Sequence, residues 1–83
     1  MLYEKIYVGV LVKFLADGGM RPLEIIWIDG QKFQIDRVKF IERAPSKVGA
    51  LITRRYTVIV EGFEKRLYFD ERAERWFIER KIK

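Results

Sequence analysis

Apolar residues recur along the chain with a period of two. In Leu2 to Leu15, residues Ile6, Val8, Val10, Val12 and Phe14 fall on one face, and Lys5, Tyr7, Gly9, Leu11 and Lys13 on the other. Such alternation, rich in β-branched residues, predicts a strand. Tyr7 and Leu11 leave the second face only partly polar, so both sides are partly covered or the strand bends at Gly9. Asp17-Gly18-Gly19 then supplies a turn, and Pro22 should open the next strand or lie on an edge.

Leu23, Ile25 and Trp27 share a face, with Glu24, Ile26 and Ile28 opposite. Asp29-Gly30 follows, a dipeptide suited to a hairpin turn. Phe33 and Ile35 continue in one phase, while Val38 and Phe40 have the other. A one-residue slip turns every side chain over, so the phase change predicts a bulge or bend at Asp36-Arg37. The stretch 44–49 reads as a loop. In the next strand Tyr56, Val58 and Val60 share one face with Ile52 and Arg54. Gly62 closes a tight turn, after which Leu67 and Phe69 should point inward and Arg66 and Tyr68 outward.

The last segment allows two readings. Asp70 can cap a helix carrying Ala73, Trp76 and Phe77. Alternatively, residues 71–74 form a hairpin loop and Trp76 and Ile78 alternate inward on a final strand. The helical face lacks a further apolar residue, because position 80 is Arg80, and the strand is favoured. Residues 1–83 thus predict one all-β domain, a six-stranded antiparallel small barrel, SH3-like or related. The alternative is an α+β fold with a C-terminal helix at 70–82.

The stretch from Pro22 to Val38, PLEIIWIDGQKFQIDRV, resembles a W-x-D-G-x-x-[FY]-x-I-D-x-V hairpin core found in short uncharacterised all-β proteins of Gram-positive bacteria. Arg55-Tyr56-Thr57 and Trp76-Phe77-Ile78-Glu79 resemble later landmarks of that group. A more distant similarity links the chain to a second group with a W-x-G-x-x-[FY]-x-V core. The resemblance implies a small all-β domain and a strand at the C-terminus. It transfers no catalytic or binding residue.

At 83 residues and 49% hydrophobic composition the chain can form one core and is too apolar for disorder. It contains no cysteine and no histidine. That removes disulfides, thiolate nucleophiles, sulfur-bound metals and the commonest general base. Its uninterrupted apolar runs, such as Ile25 to Ile28, fall far short of the roughly 20 residues of a membrane helix. The N-terminus does not read as a signal peptide, and a soluble cytoplasmic protein without membrane association is expected.

The net charge of +5 is uneven: residues 1–42 are balanced, and the whole excess lies in 43–83. Lys39, Arg43, Arg54 and Arg55 surround the loop at 44–49, which itself carries Lys47, and these five form the candidate nucleic-acid or anion contact. Tyr7, Leu11, Ile26, Ile28 and Ile59, predicted outward, form the candidate interface for a protein partner or a second copy. Asp36 lies inside an apolar strand and is the one carboxylate placed as a candidate base. Its commoner role is pairing with an arginine or with bulge amides, and no second residue completes a catalytic pair. The Asp17-Gly18-Gly19 loop lacks the Lys-Ser/Thr and the helix of a nucleotide-binding loop. No catalytic residue, cofactor or metal site is expected. The expectation is a non-enzymatic protein-interaction module, with a small nucleic-acid-binding barrel using a basic face as the alternative.

Overall fold

The computed structural model describes residues 2–46 and 52–82. Seven strands occur there: β1 (Leu2–Phe14), β2 (Met20–Ile26), β3 (Lys32–Gln34), β4 (Arg37–Pro45), β5 (Ile52–Val60), β6 (Phe63–Asp70) and β7 (Arg75–Ile82). They form one antiparallel sheet in the order β3-β2-β1-β7-β6-β5-β4, curled into a half-barrel. The small all-β barrel expected from the alternation is therefore present. The strand count is seven, not six, because the segment after the Asp29-Gly30 turn is broken in two where the apolar phase changes.

That break brings the ends of the sheet together. The Ile35 N–H donates to the Leu23 carbonyl at 2.9 Å, on the β2 side, and the Asp36 N–H donates to the Ile59 carbonyl at 2.8 Å, on the β5 side. Consecutive amides thus hand the chain from one side of the curl to the other. A second irregularity follows at Lys39, where the β4–β5 register shifts between Val38 and Phe40. The shift corrects the expectation that Val38 and Phe40 share a face. Val38 packs against the core, whereas Phe40 stands opposite Thr57 and is exposed.

β1 serves both halves of the curl. Residues Leu2 to Val8 pair with β7, and Gly9 to Phe14 pair with β2. The changeover falls at Gly9, as the sequence suggested, and the close approach explains the missing side chain. A Cβ there would stand 3.2 Å from the Cβ of Ile26. Phe14 lies on the predicted core face, yet at the strand's end it is exposed. Pro22 sits opposite Val12, on a part of β2 that β3 does not reach, so its missing N–H leaves no gap in the β2–β3 pairing.

The core joins Ile25, Tyr56, Val58, Val60, Leu67 and Trp76, with Val8, Val10, Phe33, Val38, Phe69 and Ile78 packed around them. Trp76 lies 5.0 Å from Tyr56 and 4.8 Å from Phe69, ring centre to ring centre. Burial of each large side chain stabilises by about 1.5–3 kcal/mol.

The C-terminal alternative is settled locally. Asp70 does what a helix cap would do, its carboxylate accepting the amides of Arg72 and Ala73 at 3.0 and 3.2 Å. Glu74 then takes a left-handed φ of 55°, the turn reverses, and β7 begins at Arg75. A helix at 70–82 is excluded. Tyr68 is the other departure: predicted outward, it is 2% exposed. It does point away from the core. Phe77, on the same outer face, covers it, so the sheet carries a second, smaller apolar layer there.

Candidate functional site

β6 and β7 pair at three positions only: Tyr68 with Phe77, Phe69 with Trp76, and Asp70 with Arg75. Beyond Tyr68 the strands part. β6 continues to be held by β5 as far as Phe63, and β7 by β1 as far as Ile82. Phe63 to Leu67 on one side and Ile78 to Ile82 on the other therefore have no pairing across the gap.

A groove of about 960 Å³ opens at this parting. Its floor is apolar, from Ile25, Phe33, Val60, Leu67 and Ile78. Trp27, Asp29 and Gln31 of the β2–β3 turn also line it, as do Tyr3 and Glu79. The β2–β3 turn is held firmly: Trp27 N–H donates to Gln31 O at 2.7 Å, and the Asp29 carboxylate accepts the Gln31 amide at 2.9 Å. Phe63, Glu64, Lys65, Arg66 and Leu67 all line the groove. A strand seen face-on lines a cavity with every second residue. With Tyr68, six in succession line it, which means that β6 presents its edge.

Tyr68, which lines the groove, belongs to a row of side chains on the outer face. Glu42, Arg55, Tyr68, Phe77 and Tyr7 stand directly opposite one another on five adjacent strands. Arg55 meets Glu42 at 2.9 Å. Burial, first, and a hydrogen bond to Glu79, second, push the Tyr68 phenol above its ordinary range, against the pull of the Arg55 charge. The Ser46 hydroxyl donates to the same Glu79 carboxylate at 2.7 Å. At the far end of the row, Arg75 lies 3.5 Å above the Tyr7 ring.

The basic residues singled out in the sequence are divided between two faces. Arg43 and Arg54 are opposite each other and share Glu71, at 3.2 and 3.5 Å. Arg55 is on the other face with Glu42. Lys39 reaches Glu64 at 2.9 Å, and holds that carboxyl below its ordinary range. Lys47 lies outside the described residues. Each of the four described cations thus has a carboxylate partner.

The apolar interface candidates are likewise separated. Leu11 and Ile26 are neighbours on the outer side of β1 and β2, with Leu11 half exposed. Tyr7 packs edge-on against Phe77 at 6.0 Å beneath Arg75. Ile28 is exposed in the β2–β3 turn, and Ile59 lies across the sheet on β5, opposite Arg37 and Glu64. Asp36 is exposed, and its backbone amide, bonded to Ile59, carries its structural role. Among the described residues no group of three or more carboxylates is placed to hold a metal ion, and no helix is long and apolar enough to cross a membrane.

Residue-level patterning did not disclose the groove. Phe63 and Arg66 look like ordinary solvent-facing residues of a short strand, and nothing local marks how far β6 pairs with β7. No protein-family model, curated protein or solved structure matches the chain.

Proposed function

We propose that the protein is a non-enzymatic interaction module that binds a polypeptide partner in the groove between β6 and β7. The observation that carries this is the early parting of the two strands, which leaves an apolar floor and, among the described residues, an unpaired β6 edge in one concavity. Concave apolar sites with a few fixed polar groups are where proteins take ligands. A catalytic role has no comparable support: of the groove's carboxylates, Glu64 binds Lys39, Asp29 binds its own turn and Glu79 accepts from the Ser46 hydroxyl.

The nucleic-acid alternative draws less support. Phosphate binding requires cations free to displace the counterions condensed on the nucleic acid, and the four described candidates already face carboxylates on two sides of the sheet.

The test is selection of random peptides on the whole chain, with counter-selection on Phe63→Asp. Phe63 is 68% exposed, so that substitution spares the core while placing a charge in the groove. Peptides that bind the natural chain and lose at least about tenfold on the variant support the proposal. Peptides indifferent to it place binding elsewhere.

A further inference from the structure

We infer that the segment held in the groove is an extended strand that adds to the edge of β6 over Phe63 to Leu67, an edge unpaired among the described residues. This rests on the binding role proposed for the groove and names what occupies it.

Backbone groups decide the occupant. Along a bare strand edge every second residue directs its N–H and C=O outward, and another strand satisfies both in sequence. A lipid chain or flat ring would fill the apolar floor and leave those groups unbonded by the ligand. The β6 edge is fit for pairing because it is regular. Its register with β5 runs from Arg54–Phe69 to Val60–Phe63 without a shift.

The outer edges of the sheet are different. β3 is three residues long, and β4 carries the Lys39 irregularity, Arg43 and Pro45. Shortness, bulges, charges and proline are the devices that blunt edges against pairing. The β6 edge carries charges at Glu64, Lys65 and Arg66, but it has neither bulge nor proline and is set inside a concavity.

The occupant's side chains follow from the alternation. Residues opposite Leu67 and Phe63 face the apolar floor, so alternate positions are apolar. The residue opposite Arg66 faces outward, where an acidic side chain meets an exposed guanidinium.

The experiment uses peptides of roughly 12 residues, about twice a usual strand, selected on the whole chain. The tightest binder is remade with N-methyl groups on alternate amides, in each of the two frames. Strand addition predicts unequal frames. One frame loses at least about tenfold, as expected for two or more backbone hydrogen bonds, and the other stays within about threefold. Amide exchange, read by NMR, slows at alternate residues of Phe63 to Leu67. Equal effects of the two frames, or protection outside this stretch, overturn strand addition and leave the groove proposal standing wherever Phe63→Asp still abolishes binding. Failure to enrich any peptide over the Phe63→Asp control overturns the groove proposal and this inference together.

Discussion

Tyr68 and Phe77 stand directly opposite each other on β6 and β7, their rings stacked 5.1 Å apart and 9° from parallel. They form the last pair before the strands separate. On one side lie two further pairs and the turn; on the other lies the groove. The stack is therefore a pin at the point where the sheet opens.

The pin should carry measurable energy. Tyr68→Leu and Phe77→Leu should each lower the unfolding free energy in urea. The double variant should show a coupling of about 0.5–1.5 kcal/mol, the usual worth of an aromatic pair beyond its buried area. Additive losses would mean that the rings contribute only as buried surface. Phe77→Ala should cost about 3–5 kcal/mol, a large part of the roughly 4–12 kcal/mol expected for a domain of this size.

Alkali should loosen the same point. The Tyr68 phenol has its folded-state pKa raised above the ordinary value of 10.0, first by burial. A raised pKa means that the folded state holds the proton more tightly than the unfolded one. This stabilisation is complete below about pH 10 and is lost as pH rises through the folded-state value. Urea midpoints measured between pH 8 and 11.5 should fall more steeply for the natural chain than for Tyr68→Phe. Equal slopes would remove Tyr68 as the titrating group.

The turn between β5 and β6 depends on its backbone. Glu61 and Gly62 have φ of 51° and 80°, the pair of positive values that a two-residue hairpin turn needs. A Cβ on Gly62 meets no atom within 4 Å, so Gly62→Ala tests conformation alone. It should cost about 1–2 kcal/mol in urea unfolding. No loss would mean that the turn relaxes to another type.

The basic half of the chain should behave as a paired surface. Labelled single-stranded DNA or RNA should bind weakly, without the roughly hundredfold loss between 50 and 200 mM salt that neutralising four phosphates entails. Glu71→Gln removes the carboxylate shared by Arg43 and Arg54 and should strengthen that binding. A steep salt dependence in the natural chain, reduced by Arg54→Ala, would restore the nucleic-acid alternative.

Local chemistry by itself determined most of the fold. Alternation placed Val8, Val10, Tyr56, Val58, Leu67 and Trp76 on core faces, because side chains on a strand must alternate. Turn residues marked Asp29-Gly30 and Gly62, and the changed phase after Ile35 marked the break that splits β3 from β4. Only the tertiary structure decided where Tyr68 went, since its burial comes from Phe77 on a neighbouring strand. It also decided the partners of Lys39, Arg43, Arg54 and Arg55, whose carboxylates stand on other strands or on the turn before β7. The groove belongs to the same class. How far β6 stays beside β7 is set by the curl of the whole sheet and by β1 holding β7 to the opposite side, and a strand's own residues carry no record of where its neighbour leaves it.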